Sequence, residues 1–297
     1  MSSSTGPGSG LPVRMPRVRQ SGRHRKPEPV SAPDGAPTLV LAVPGTPSSA
    51  SRSLADEVVS IARSELPGLN ARTGFAEGGD EEFPGLQEVL TQVAAERGAA
   101  DEPDDEPAAV VVPLLAGPDS AQLRVIRQAV LNSGSGAELT DVLGPHPLLA
   151  EAVHVRLSEA GLARADRARL FTVATAADGI ILTAMGGEEA VQAAGITGML
   201  LSARLAVPVL AAALDEEGSV AAAARQLLDS GSHQLALAPC LIGPEVPEGL
   251  LAAAAAEAGC AAAEPLGAYP AVGKLVLSAY AAKLGITPER SAGAPAH

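Results

Sequence analysis

An internal duplication constrains the fold of this chain more than any other feature of its sequence. Residues 110–118 (VVVPLLAGP) are echoed by residues 236–244 (ALAPCLIGP), and residues 143–153 (LGPHPLLAEAV) are echoed by residues 266–276 (LGAYPAVGKLV). The two echoes occur in the same order and at nearly equal offsets, 126 and 123 residues. A repeat of this kind indicates that one domain-sized unit is present twice.

Within each unit, short apolar runs alternate with segments of helical periodicity. Residues 38–43 (TLVLAV) form a continuous apolar run, typical of a strand that is buried on both faces, and residues 50–65 repeat apolar side chains at helical spacing. The same alternation predicts four strands and four helices in each unit. We therefore predict an α/β fold in which two similar parallel-sheet halves face each other across a cleft.

The predicted boundaries divide the chain into five segments. Residues 37–161 and 179–285 form the two halves, residues 162–178 connect them, and residues 286–297 form a C-terminal tail. Residues 1–36 are rich in Ser, Gly, Pro and Arg and have no apolar core stretch, so we expect them to form a disordered basic arm.

The charge is unevenly distributed along the chain. The net charge is −13, but residues 1–36 carry six Arg or Lys against two acidic residues, which leaves −17 on the rest. This charge, together with an aromatic content of 2% and no Trp, argues against a nucleic-acid partner. The basic arm is either a solvated tail or a docking segment, for an acidic protein partner or for the acidic body of the chain itself.

No segment predicts export or membrane insertion. The N-terminus lacks the apolar stretch of a signal peptide, and the apolar segment 196–214 contains Arg204 and Pro208. The two cysteines, Cys240 and Cys260, are too few for a disulfide framework or a cysteine-rich zinc site. We expect a cytoplasmic protein with no membrane contact and two ordinary buried thiols.

Ligands of open parallel sheets bind beyond the carboxyl ends of the strands, which makes the strand-to-helix turns the candidate sites. None of these turns carries a phosphate-binding glycine loop or a G-x-S-x-G nucleophile elbow. Thr46 and Ser48 either cap the following helix or bind a ligand carboxylate, because helix N-termini favour anions. The candidate ligand-binding residues of the turns are Gly45, Thr46, Ser48, Gly117, Gly186 and Gly187.

Several strand ends and turns resemble those of the class II chelatases, specifically the sirohydrochlorin ferrochelatases and cobaltochelatases. The shared segments are 74–77 (GFAE), 113–115 (PLL), 143–148 (LGPHPL), 264–267 (EPLG) and 269–270 (YP). The resemblance extends over most of the chain between the two tails. It implies the same duplicated α/β arrangement. It also implies insertion of Fe²⁺ or Co²⁺, as substrate, into a sirohydrochlorin-like tetrapyrrole for sirohaem or cobalamin synthesis.

The two histidines that present the metal to the macrocycle in that family have no counterpart here. The first position falls on Pro44, and the second falls within residues 120–122, with Ala121 as the best match. The resemblance therefore implies weakened or lost catalysis, because neither side chain can ligate Fe²⁺ or Co²⁺. Glu77 is the catalytic candidate, as an acid facing the metal or a pyrrole nitrogen; otherwise it is an ordinary loop carboxylate.

The five histidines of the chain do not replace that pair. His24 and His297 lie in the tails, His154 lies within a predicted helix, and His233 precedes a predicted strand. His146 begins a helix, where it is expected to cap the turn or pack. We therefore predict no metal-ligating residue and no resident cofactor. Two functions stay open: a weakened chelatase, or a non-catalytic protein that binds a tetrapyrrole or a partner enzyme.

Overall fold

The computed structural model describes residues 31–99, 107–163 and 176–285, in which strands and helices alternate as the sequence predicts. The elements of the first half are β1 (Thr38–Val43), α1 (Ser49–Glu65), β2 (Ala71–Phe75), α2 (Leu86–Ala99), β3 (Ala109–Pro113), α3 (Ser120–Ser133), β4 (Glu138–Leu139) and α4 (Pro147–Glu159). The elements of the second half are β5 (Gly179–Ala184), α5 (Gly187–Leu205), β6 (Val209–Ala213), α6 (Ser219–Asp229), β7 (Leu235–Pro239), α7 (Leu250–Ala258), β8 (Ala261–Ala262) and α8 (Pro270–Lys283).

The strands form two four-stranded parallel sheets with matching order, β2-β1-β3-β4 and β6-β5-β7-β8. Their registers also match: Ala42 lies opposite Pro113 in the first sheet, and Thr183 lies opposite Pro239 in the second. The predicted equivalence of Pro113 and Pro239 is thereby confirmed. The α/β fold with two similar parallel-sheet halves is confirmed as well.

The two strands that begin the first pair of echoed segments end earlier than their apolar runs. The sequence predicts strands over residues 108–115 and 234–242, but β3 ends at Pro113 and β7 ends at Pro239. Each strand ends at a proline, although the next residue still donates to the central strand: Leu114 N to Ala42 O (2.9 Å) and Cys240 N to Thr183 O (2.8 Å).

Two helix starts also differ from the sequence predictions. Helix α2 is predicted to begin at Phe83 but begins at Leu86, because Pro84 O accepts a hydrogen bond from Phe75 N (2.9 Å) and thereby prolongs the β2 edge. Ser219 is predicted to cap α6, but Gly218 is the N-cap residue.

The last helix of each half packs on the sheet of the other half. Helices α1 and α5 lie on their own sheets, whereas α8 contacts β3 and α4 contacts β7. These four helices form a shared layer between the two sheets, and one continuous apolar core includes residues of both sheets and all four helices. Helices α2 and α3 cover the outer face of the first sheet, and α6 and α7 cover that of the second.

This layering explains the continuous apolar runs of the central strands. Along β1, Leu39 and Leu41 belong to the shared inner core, while Val40 and Ala42 belong to the outer core beneath α2 and α3. Both faces of the strand are therefore buried, and no polar alternation survives in the sequence.

Several predicted segments fall partly outside the described residues. These are residues 1–30 of the basic arm, 164–175 of the connector and the tail from 286 onward. The described end of the arm contacts the first half, because Ala32 N donates to Pro67 O (2.9 Å). No helix among the described residues has the length and apolar character needed to cross a membrane.

Candidate functional site

A cavity of about 910 Å³ opens between the two halves at the carboxyl ends of the strands. We call it the cleft cavity. The turn after β1 and the start of α1 form one side, and the loop after β7 and the segment after β8 form the other. Its polar and charged lining residues are Thr46, Ser48, Ser51, Glu77, Gln122, Arg156, Glu245, Glu248 and Glu264. Its volume is within the range of small-molecule and cofactor sites, roughly 300–1,000 Å³.

The turn after β1 approaches the second half so closely that only glycine fits. Gly45 has a φ of +75°, and a Cβ atom there would lie 2.3 Å from Pro244 O. Its backbone N–H donates to Gln122 Oε1 of α3 at 3.1 Å. The close approach of Gly45 thus brings the two halves together at the wall of the cleft cavity.

Ser48 caps α1, as one of its two sequence interpretations states. Its Oγ accepts from Ser51 N (3.1 Å), and Ser51 Oγ accepts from Ser48 N (2.9 Å), which completes a capping box. Two backbone donors at this helix start are therefore already satisfied, which reduces the ability of the α1 N-terminus to bind an anion.

Glu77 lies at the start of the loop that follows β2, and its residue is exposed at the cavity wall. Thr46 Oγ1 donates to Glu77 Oε2 at 3.3 Å, so this hydroxyl orients the carboxylate. The two residues belong to different strand-to-helix turns of the first half and meet at the cavity. A carboxylate in this position can accept a proton from a bound ligand.

The loop after β7 is held by a buried carboxylate. Glu245 accepts from Ile242 N (2.8 Å) and Gly243 N (2.9 Å), and only 6% of the residue is exposed. Burial raises the pKa of Glu245, the two backbone donors lower it, and the nearby Asp119 carboxyl raises it further. Glu245 therefore fixes the shape of the second-half wall.

Arg156 of α4 supplies the cation of the cavity wall. Its Nε and Nη2 donate to Leu266 O at 3.2 and 2.8 Å, across the boundary between the halves. Its Nη1 forms an ion pair with Glu159 Oε2 at 3.0 Å. The guanidinium thus links α4 to the segment after β8.

The structure brings some of the predicted site residues together and separates others. Gly45, Thr46, Ser48 and Glu77 line the cleft cavity, whereas Gly117, Gly186 and Gly187 do not. Gly186 instead packs against the backbone of the β3–α3 turn, where its Cβ would lie 2.5 Å from Pro118 O. Gly186 therefore belongs to the other contact between the halves, whereas a Cβ atom at Gly187 would lie 3.8 Å from Glu216 of its own half and one at Gly117 would have no neighbour within 4 Å.

The α3 side chain at the cavity is Gln122 and not Ala121. Ala121 N and Gln122 N both donate to Asp119 Oδ1, at 2.9 and 3.0 Å, which caps α3 and turns Gln122 toward the β1 turn. The sequence interpretation narrowed this position to three residues but favoured the neighbouring one. The sequence analysis did not predict Arg156, Glu245, Glu248 or Glu264 as site residues, although Glu264 begins the segment 264–267 that resembles the chelatases.

The described histidines lie away from the lining of the cleft cavity. His146 caps α4, since its Nδ1 accepts from Leu148 N at 3.1 Å, as the sequence predicts, and burial lowers its pKa. His154 is buried, and its Nδ1 accepts from Arg204 Nε at 2.8 Å between α4 and α5. Within residues 31–99, 107–163 and 176–285, no group of three or more His, Cys, Asp or Glu side chains is arranged to hold a metal ion.

The two cysteines are buried to different degrees. Cys240 is buried, and burial raises the pKa of its thiol to about 12, while Cys260 is half-buried and its pKa is also raised by burial. Neither thiol lines the cleft cavity. Cys240 is thus the buried thiol that the sequence predicts, whereas Cys260 is less buried than predicted.

Comparisons with known proteins support this fold. No protein-family model matches the sequence, and no curated protein matches it either. Among solved structures, the chain is similar to the sirohydrochlorin chelatase SirB from Bacillus subtilis subspecies spizizenii in complex with cobalt. The TM-score is 0.55 at 13% identity, over 82% of this chain and 94% of that chain. The transcription regulator CcpA of Lactococcus lactis gives a TM-score of 0.37 at 13% identity, over 86% of this chain and 94% of that one. The chain thus has a chelatase-like fold.

Proposed function

We propose that this protein binds a sirohydrochlorin-type tetrapyrrole in the cleft cavity and inserts Fe²⁺ or Co²⁺ into it slowly or not at all. The observation that carries the proposal is a cavity of ligand size, between the halves of a chelatase-like fold, which Glu77 lines and no described histidine lines. A tetrapyrrole is a large flat ligand, and an open cleft between two facing sheets suits its shape.

The residues of the cavity supply part of the chemistry of chelation. When a divalent metal ion enters a tetrapyrrole, bonds form between the metal and the pyrrole nitrogens, and two N–H protons leave. Glu77, oriented by Thr46, can accept one of these protons. Imidazole ligands that would strip water from the metal and deliver it are absent from the described lining, and carboxylate alone is a weak ligand for Fe²⁺ or Co²⁺. This lack supports slow or absent turnover.

The proposal is tested by absorbance titration of the full chain with sirohydrochlorin at about 0.15 M salt, followed by addition of Fe²⁺ or Co²⁺. We expect a saturable shift of the macrocycle absorbance on binding and metal insertion near the rate without protein. Any acceleration above the rate without protein should be lost in Glu77→Gln without loss of binding, whereas Glu81→Gln should leave it unchanged. Glu81 is the matched control because it is exposed and does not line the cavity.

A gain of activity tests the account of the missing imidazoles. The Pro44→His/Gln122→His variant, which uses the α3 position that lines the cavity, should accelerate metal insertion. Absence of any tetrapyrrole binding would contradict the proposed function. Rapid insertion by the unmodified chain would contradict its second part and would identify Glu77 or another group as a sufficient metal ligand.

A further inference from the structure

The described wall of the cleft cavity offers little positive charge to a ligand that carries carboxylates. A sirohydrochlorin-type tetrapyrrole bears several carboxylates on its periphery. Arg156 lines the cavity, but it donates two hydrogen bonds to Leu266 O and forms an ion pair with Glu159. No Lys and no His lines the cavity within the described residues. The carboxylates of the ligand therefore need cations from another part of the chain.

The backbone N–H groups at the cavity are also in use. The capping box of Ser48 and Ser51 satisfies two donors at the start of α1. Glu245 accepts two N–H groups of the loop after β7, and Gly45 N donates to a side chain of α3. Because backbone groups bind an anion only where they are free, they do not replace the missing cations.

The basic arm carries the charge that the cavity lacks. Residues 1–36 contain six basic residues against Glu28 and Asp34, which gives +4, whereas the rest of the chain carries −17. The six basic residues are Arg14, Arg17, Arg19, Arg23, Arg25 and Lys26. Opposite charges attract over roughly 10 Å at ordinary salt concentrations, so this arm favours an acidic surface or an anionic ligand.

The described end of the arm is fixed at one end of α1, and the cleft cavity lies at the other. Ala32 packs against the shared core and its N donates to Pro67 O (2.9 Å), just after α1 ends. Ser48 and Leu54, at the start of α1, line the cavity. The helix has 17 residues, so this end of the arm and the cavity are about 25 Å apart.

The length of the arm determines which of its basic residues can reach the cavity. Arg14 and Arg17 precede Ser31, the first described residue, by 17 and 14 residues. An extended chain of that length spans about 46–61 Å, well beyond the distance to the cavity. Arg25 and Lys26 precede Ser31 by six and five residues, which span only about 17–22 Å. The first pair can therefore reach the cavity, whereas the backbone of the second pair cannot.

On the basis of the proposed function, we infer that the basic arm binds at the open side of the cleft cavity, where Arg14 and Arg17 pair with the carboxylates of the bound tetrapyrrole. The same guanidinium groups offset the exposed carboxylates of the wall, Glu248 and Glu264. Arginine suits this role because its planar guanidinium binds a carboxylate through two parallel hydrogen bonds. The arm thereby makes an acid-lined cavity a site for an anionic ligand.

The inference is tested by absorbance titration of the full chain with sirohydrochlorin at low and at about 0.15 M salt. A variant with Gln in place of all six basic residues of the arm should bind at least about tenfold more weakly at low salt. The affinity of the unmodified chain should fall as salt is added, because ions screen the attraction, whereas the affinity of the variant should not fall. An unchanged urea midpoint shows that the variant retains its fold.

Two matched pairs of substitutions locate the effect. Arg14→Gln/Arg17→Gln should weaken binding severalfold. Arg25→Gln/Lys26→Gln removes the same charge close to the fixed end of the arm and should weaken binding by less than about twofold. In addition, a photo-crosslinking amino acid in place of Met15 should link to the wall of the cleft cavity when sirohydrochlorin is bound.

The possible outcomes separate the inference from the function on which it rests. If the variant without basic residues binds sirohydrochlorin as tightly as the unmodified chain, the inference is overturned and the proposed function stands; the arm then serves an acidic protein partner or another surface. Equal losses from the two pairs, or crosslinks away from the cavity, would also overturn the inference. No binding of sirohydrochlorin by the unmodified chain would overturn both.

Discussion

The turns after β1 and β5 occupy equivalent places in the two halves and pack in the same way. Each contains a glycine with positive φ, +75° at Gly45 and +115° at Gly186. Each glycine lies against a backbone carbonyl of the opposite half, and a Cβ atom would approach Pro244 O to 2.3 Å or Pro118 O to 2.5 Å. Duplication therefore preserved the backbone contact between the halves on both sides of the molecule.

The side chains that lock the two turns are different. Gly45 N donates to Gln122 Oε1 from α3, whereas Gly186 N donates to Asp215 Oδ2 at 3.0 Å. Asp215 follows β6 by the same two residues by which Glu77 follows β2. In the second half the carboxylate at this position is used to hold the turn. In the first half Gln122 holds the turn through Gly45 N, and Glu77 instead lines the cleft cavity.

The pockets beside the two turns differ in size accordingly. The counterpart of the cleft cavity lies between α3 and α5, has a volume of about 450 Å³, and is lined by Glu189 and Gln192. These residues occupy the positions of Ser48 and Ser51 in the cleft cavity, about 910 Å³ in volume. Longer side chains at the start of α5 thus accompany a smaller pocket. The first-half turn thus lies beside the larger cavity, and the carboxylate that follows β2, Glu77, lines that cavity instead of holding the turn.

The largest effect is expected from separating the halves. A fragment of residues 31–163 lacks α8, which covers β3 on the inner face of the first sheet, so its shared core would be exposed to water. We expect this fragment alone to show no cooperative unfolding in urea. Cooperative unfolding should return when it is mixed with a fragment of residues 176–285. Cooperative unfolding of the first fragment by itself would show that the exchange of helices is dispensable.

The second largest effect concerns the paired glycines. Gly45→Ala should destabilise the full chain by about 2–4 kcal/mol, because it combines a clash with Pro244 O and an unfavourable positive φ. Gly186→Ala should cost a similar amount for the same reasons. Gly117→Ala is the control, since nothing lies within 4 Å of a Cβ there, and its urea midpoint should hardly move. A much smaller cost at Gly186 would mean that the two contacts are not equivalent.

The sequence predicted the repeated features of this molecule well. The echoes of residues 110–118 and 143–153 correspond to equivalent strands and turns, because burial on both faces and proline at the strand end leave a strong local pattern. The α1 cap was likewise local, since Ser48 and Ser51 are three residues apart. Local sequence patterns and strand burial were therefore sufficient to predict the strands and turns of each half.

The features that depend on contacts between residues far apart in the sequence could not be predicted in this way. The spacing of apolar residues shows that a helix has a buried face but does not identify the sheet on which that face packs. The packing of α4 and α8 on the sheet of the opposite half therefore could not be predicted from periodicity. Gln122 reaches Gly45 from 77 positions away, and Arg156 reaches Leu266 from 110 positions away. Each is an ordinary polar residue of a helix until the fold brings it to the cleft cavity.

A smaller effect should distinguish the two equivalent carboxylates. Asp215→Ala removes the acceptor of Gly186 N, so we expect a loss of about 1 kcal/mol in unfolding free energy. Glu77→Ala removes only a contact with an exposed hydroxyl, so its unfolding free energy should stay within about 0.5 kcal/mol of that of the unmodified chain. Equal losses would show that Glu77 also has a structural role, which would weaken its assignment as a cavity residue.

The smallest effect concerns the starts of β1 and β5, which are held by different chemistry. Tyr280 donates its hydroxyl to Pro37 O (2.7 Å) just before β1. Before β5, the Asp178 carboxylate accepts from Gln234 N (2.7 Å) and His233 N (2.9 Å). The hydrogen bond from Gln234, and then that from His233, lower the pKa of Asp178.

The folded state favours the ionised form of the Asp178 carboxyl. Its contribution to the free energy of unfolding is therefore fully present above the ordinary Asp pKa of about 4, and it is lost as the pH falls through the lowered pKa of the folded state. The difference in unfolding free energy between the unmodified chain and Asp178→Asn should therefore narrow as the pH is lowered below about 4. The difference for Tyr280→Phe should stay constant over that range, since a phenol does not titrate in acid. Urea unfolding at several pH values measures both differences. If the difference in unfolding free energy between the unmodified chain and Asp178→Asn did not depend on pH, the charge of Asp178 would not contribute to holding the start of β5.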